Sequence, residues 1–141
     1  MRRLPEQGVV MEKLSFDTDL REEMKNVTDA LRDAVARQHW QDGVLVAYCP
    51  HTTCGLTINE GFDPDVAHDM TRFFHERVPE HGMFRHAEGN ADAHIKASLF
   101  GSSVTLIVER GELMLGTWQA VWLFEGDGPR TRQIWLKWLP A

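Results

Sequence analysis

The chain has 141 residues, 43% of them hydrophobic and 26% charged, which is the balance of a globular protein with one core rather than of a disordered or fibrous chain. A formal net charge of -6 repels nucleic-acid backbones and anionic membrane surfaces and argues against both as general partners. It leaves room for a small phosphorylated molecule held by local cations and backbone amides. No stretch reaches the length of a membrane span and no apolar run follows Met1-Arg2-Arg3, so a single cytoplasmic domain over residues 1–141 is expected.

Residues 9–16 are short, partly alternating and bounded by Gly8 and Asp17, which predicts an edge strand. Leu20, Met24, Val27, Leu31, Ala34 and Val35 keep helical spacing. Asn26 and Thr28 are cap-type residues, so a helix starting near Thr28 after a short strand is the better reading. Residues 44–49 form a continuous apolar run behind Gly43, the pattern of a central strand buried on both faces. Pro50 ends it, and residues 54–59 read as the next strand. Asp63-Pro64 is a helix start that leads an amphipathic face to Pro79.

Residues 80–90 read as a loop, and residues 91–100 as a short helix stopped by Gly101. The last third is β-rich: residues 104–108, a turn at Arg110-Gly111, residues 113–115, residues 118–124, a turn at Gly126-Asp127-Gly128-Pro129, and residues 133–139. These carry hairpin signals. The sum is an α+β fold, an antiparallel β-rich, sandwich-like core covered by two to three helices.

Cys49 and Cys54 are too few for a disulfide framework and read as reduced core thiols. Of seven histidines, His39, His68, His75 and His81 have ordinary surface or helix-end explanations. His51, His86 and His94 instead stand among small polar residues at element ends. Three neutral imidazoles are the ligand set of an open divalent-metal site, zinc in the first instance. The spacing is no standard metal motif, and a hydrogen-bonded polar loop is the competing explanation.

Thr52, Thr53 and Glu60 follow His51 and could supply hydroxyls and a base, or simply cap and pair strands. Lys96 and Ser98 fall on the short helix near its start, where amides and the dipole favour an anion. Trp118, Trp122, Trp135 and Trp138 alternate along predicted strands and suit a core or a subunit interface. Gln119 is the polar exception among them.

Three stretches, His51-Thr52-Thr53-Cys54-Gly55-Leu56-Thr57-Ile58-Asn59-Glu60, residues 86–99 (HAEGNADAHIKASL) and Leu115-Gly116-Thr117-Trp118-Gln119, resemble, in order, signature segments of the YjbQ family. The resemblance covers the chain from about Val9 onward. It implies a homotrimer with polar pockets near subunit boundaries, and a secondary thiamine-phosphate synthase activity that joins a pyrimidine diphosphate to a thiazole phosphate.

Carried onto this sequence, it implies Glu60, Glu88 and Gln119 as catalytic candidates. Thr52, Thr53, Asn90, Lys96 and Ser98 are then expected to bind a phosphorylated substrate. His51, His86 and His94 remain the expected ligands of a divalent metal, zinc, or magnesium with a diphosphate substrate. A metal-assisted hydrolase using Glu60 or Glu88 as base, and a non-catalytic trimeric binding protein, are the alternatives.

Overall fold

The computed structural model describes residues 11–141. Its elements run β1 (Met11–Asp17), β2 (Glu23–Asn26), α1 (Thr28–Arg37), β3 (Gly43–Tyr48), β4 (Cys54–Glu60), α2 (Pro64–Arg77), α3 (Ala91–Phe100), β5 (Ser103–Glu109), β6 (Glu112–Met114), β7 (Gln119–Glu125) and β8 (Thr131–Pro140). Every strand pairing is antiparallel. A five-stranded sheet has the order β1-β8-β3-β5-β6, and a three-stranded sheet the order β2-β7-β4. This is the expected α+β architecture with three helices.

The core lies between the sheets. Leu45, Leu106, Val108, Ile134, Leu136 and Trp138 come from the larger sheet, and Leu56, Val121 and Leu123 from the smaller. Helix α1 closes one end with Leu31, Ala34 and Val35, each large aliphatic side chain contributing about 1.5–3 kcal/mol on burial. Trp40, just beyond α1, stacks on Trp138 with ring centroids 5.3 Å apart.

The strand expected at residues 9–16 forms as β1 on a sheet edge, its first two residues lying outside the described ones. The apolar run after Gly43 is the middle strand of the larger sheet. The turn at Arg110-Gly111 uses positive φ at both residues, 51° and 77°, the geometry that matches the twist of a two-residue hairpin. The expected hairpin around Gly126-Asp127-Gly128-Pro129 does not form. β7 pairs with β2 and β4 while β8 pairs with β1 and β3, so this turn carries the chain from one sheet to the other.

Helix α2 begins as its sequence requires: the Asp63 side chain accepts a hydrogen bond of 2.9 Å from the Asp65 amide, and Pro64 fills the first turn. None of its residues is fully buried, so its apolar face is only half covered within one chain. Helix α3 ends at Gly101, whose φ of 100° is open to glycine and strained for other residues. That turn brings the Gly101 carbonyl to the Leu56 amide at 2.9 Å, and Phe100 stacks on Phe124 at 4.3 Å. The helix is thereby fixed against the start of β4.

Candidate functional site

Three pieces of chain meet where the two sheets join. The connection between β3 and β4 supplies His51, Thr52 and Thr53. The sheet-switching turn and the start of β8 supply Arg130 and Arg132, the loop leading into α3 supplies Glu88 and Asn90, and the first turn of α3 itself supplies His94. Together with Pro50 these line a groove of about 310 Å³. An adjoining hollow of about 470 Å³ shares His51, Thr52 and His94 and adds Cys54 and Ser98.

The groove is built around a buried ion pair. Arg132 is 4% exposed and Glu125 fully buried. Arg132 Nε donates to Glu125 Oε2 at 2.7 Å, and Nη2 donates to Glu125 Oε1 and to Thr53 Oγ1 at 2.8 Å. Glu125 also accepts from Thr18 Oγ1 at 2.9 Å and from the Asp127 amide at 2.8 Å. Among the described residues nothing accepts from Arg132 Nη1, which leaves this edge of the guanidinium for the groove. Burial alone would lower the Arg132 pKa, but Glu125 more than offsets it and the value is raised. The cation is therefore permanent.

His51 Nε2 accepts a 2.8 Å hydrogen bond from the Gln133 amide. A neutral imidazole that accepts at one nitrogen carries its proton on the other, so Nδ1–H is a donor. Burial, and then the nearby Arg132 charge, push the His51 pKa below its ordinary value. His51 is accordingly a neutral hydrogen-bond donor at pH 7.

His94 and His86 stand edge to face with ring centroids 5.2 Å apart, and His86 Nε2 lies 3.8 Å from Glu88 Oε2. Asn90 Nδ2 donates to Asp127 Oδ2 at 2.8 Å, and Arg130 Nη2 donates to the same carboxylate oxygen at 2.8 Å.

The structure thus gathers His51, Thr52, Thr53, Glu88, Asn90 and His94 at one groove, with His86 against His94 and Ser98 in the adjoining hollow, where its hydroxyl donates to the His94 carbonyl at 3.0 Å. Three expected residues do not join it within one chain. Glu60 and Gln119 are register partners at the far end of the β4–β7 pair from Cys54 and Glu125, about 20 Å away at the usual rise of a strand. Glu60 Oε1 accepts from the Phe62 and Asp63 amides at 2.9 and 3.1 Å, and Gln119 Oε1 accepts from the Gly116 amide at 2.8 Å.

Lys96 is fully buried and its ammonium is held by Asp92 at 2.7 Å and by Glu22. Arg21 donates to both oxygens of that same Asp92, at 3.2 and 3.0 Å. Lys96 therefore anchors α3: its ammonium is engaged by two buried carboxylates, and it does not line the groove.

The expected three-histidine metal set is not assembled. Among the described residues no group of three or more His, Cys, Asp or Glu side chains is placed to hold one ion, and His51 presents a proton rather than a lone pair. The donor set as placed does not fit a tetrahedral ion.

Sequence reasoning missed Arg130 and Arg132. The signal was present in the period of two: Arg132 shares its face of β8 with Ile134, Leu136 and Trp138, and Glu125 shares its face of β7 with Val121 and Leu123. A charge of each sign on a core-facing position is the mark of a buried pair.

A family model described as UPF0047 protein YjbQ-like matches residues 12–141. The YugU protein of Bacillus subtilis, described as UPF0047, is 46% identical over 129 residues, covering 91% of this chain and 98% of its own. A UPF0047 protein of Methanocaldococcus jannaschii is 45% identical over 125 residues, covering 89% and 91%. Among solved structures, an uncharacterized yjbq/upf0047 protein of Clostridium acetobutylicum superposes with a TM-score of 0.87 at 43% identity, covering 91% of this chain and 99% of that one. A hypothetical protein of Aeropyrum pernix gives 0.88 at 32% identity, covering 93% and 98%.

Proposed function

The chain belongs to the YjbQ-like UPF0047 family, and from that premise we propose that it binds a small phosphorylated molecule in the groove between His51 and Arg132, with a secondary thiamine-phosphate synthase activity. The observation that carries this reading is the Arg132 guanidinium: buried, permanently charged, and lacking a described partner at Nη1 on a polar groove. Thr53 Oγ1, already accepting from Arg132, keeps its own proton to donate, as does His51 Nδ1. Fixed donors around a phosphate need no reorganisation when charge develops on it.

In the synthase reaction the bond between the pyrimidinylmethyl carbon and the diphosphate oxygen breaks, and a bond from that carbon to the thiazole nitrogen forms. The diphosphate leaves with the bonding electrons. Arg132, Thr53 and His51 would hold that growing negative charge, and no covalent nucleophile is needed. A metal-assisted hydrolase is less well supported, because Glu88 is the one expected base on the groove and no ion site accompanies it among the described residues.

Assembly as a homotrimer in the cytoplasm completes the proposal. Leu99, Ile107, Phe62 and Trp118 are each more than half exposed, which offers apolar surface for burial between subunits. Pyrophosphate titrated calorimetrically into the protein, alongside an assay with both phosphorylated substrates, tests the reading. Expected are saturable binding weakened at least ten-fold by His51→Ala, and thiamine phosphate formed above a His94→Ala control. No heat and no product would remove it.

A further inference from the structure

The groove has two chemically different sides. Its donors are His51 Nδ1, the Thr52 and Thr53 hydroxyls, and the Arg130 and Arg132 guanidinium groups. Opposite in kind stand the Glu88 carboxylate and the Asn90 side chain. Asn90 is 9% exposed and its Oδ1 is a buried side-chain oxygen with no hydrogen-bond partner. Its orientation is settled by chemistry: the other end of the amide faces the Asp127 carboxylate at 2.8 Å, which only the NH2 group can satisfy. Oδ1 is therefore the orphan, and it can only accept.

Asn90 also stands at the N-cap of α3, where an asparagine oxygen ordinarily accepts from an amide of the first turn. Here it makes no such bond. An unpaired buried acceptor costs roughly 1–3 kcal/mol, and it is satisfied only by a donor brought from outside. Glu88, three-quarters exposed with His86 Nε2 at 3.8 Å from its Oε2, adds a second, charged acceptor on the same side. Residues 83–89 are all exposed, so admitting a donor beside Asn90 displaces a solvated loop and leaves the core in place.

We infer that the groove selects phosphate esters that also carry a hydrogen-bond donor, an amino or hydroxyl group a few bonds from the phosphorus, which pairs with Asn90 Oδ1 and Glu88 while the phosphate takes the Arg132 side. This rests on the phosphate-binding reading above and specifies its ligand class. An ester with a purely apolar tail leaves Oδ1 unpaired and loses affinity.

Isosteric probes separate the two ideas. Phosphoethanolamine, ethylene glycol monophosphate and n-propyl phosphate share the phosphate and the chain length, and differ in ending on an ammonium, a hydroxyl or a methyl group. Calorimetric titration of the full chain should give the two donor-bearing esters at least ten-fold tighter dissociation constants than n-propyl phosphate. Asn90→Ala should compress that ratio several-fold, and Glu88→Gln should weaken phosphoethanolamine more than the glycol ester. Equal affinity for all three esters in the unaltered protein overturns the inference and leaves the phosphate site standing. Failure of all three, and of inorganic phosphate, overturns both. If Asn90→Ala does not fold, the ratio in the unaltered protein still decides.

Discussion

Glu125→Gln keeps the shape of the side chain and removes its charge. The carboxylate it replaces is fully buried, takes two hydrogen bonds from Arg132 and one each from Thr18 and the Asp127 amide. An amide has one accepting oxygen for these four donors, and its own NH2 must face at least one of them. Arg132, 5% exposed at its side chain, cannot shed its proton and is left as a buried cation without a counter-charge. Breaking a buried pair from one side costs about 3–5 kcal/mol. For a chain of this length that is a fall in melting temperature of about 10–17 °C.

Differential scanning calorimetry at pH 7 measures it directly. Glu125→Gln combined with Arg132→Met removes both charges and should recover part of the loss, because the cost lies in the stranded cation more than in the missing attraction. A melting temperature within about 3 °C of the unaltered protein for Glu125→Gln would mean that water reaches the pair. The account of the groove floor would then fail.

Lys96→Met should destabilise by about 3 kcal/mol, since Asp92 and Glu22 lose their shared cation inside the fold. The folded fraction should bind pyrophosphate within about two-fold of normal, and a loss beyond ten-fold would return Lys96 to the ligand. For His51, burial and the Arg132 charge depress the folded pKa, so the unfolded chain takes the proton first. The stability linked to His51 is intact above about pH 6.5 and is lost as pH falls toward the folded value. Imidazole nitrogen NMR should give a midpoint below 6.5 and the proton on Nδ1. A midpoint above 7, or the proton on Nε2, would contradict the Gln133 contact.

Local chemistry made much of the fold legible. Asp63-Pro64 marked the start of α2, Thr28 that of α1 and Gly101 the end of α3, because caps and helix stops are decided within a few residues. The sheet switch after β7 was not legible, since turn residues report that the chain reverses and say nothing about which strand it then pairs with. The same limit separates the candidate residues. His51, Thr52, Thr53, Asn90 and His94 were noticed from their polar, element-end settings, and the structure brings them together. The place of Lys96 near a helix start suggests an anion binder, whereas its spacing of four from Asp92 on the inner face of α3 is the cue to a buried pair. Glu60 and Gln119 carry motif positions whose distance from the histidines only strand register reveals.

Strand β8 lies between β1 and β3, so the larger sheet joins residues 11–17 to residues 131–137, a strand made after the other ten elements. Until residues 131–140 have left the ribosome, β1 has no partner in its own sheet and the Arg132 side of the groove does not exist. Such long-range pairing makes for slow folding, with loop closure preceding most of the gain from contacts. The nascent chain must therefore carry the unpaired edges of β1 and β3 through synthesis, and the charged Glu12 and Lys13 on β1 are of the kind that keep an open edge from recruiting another chain in that interval.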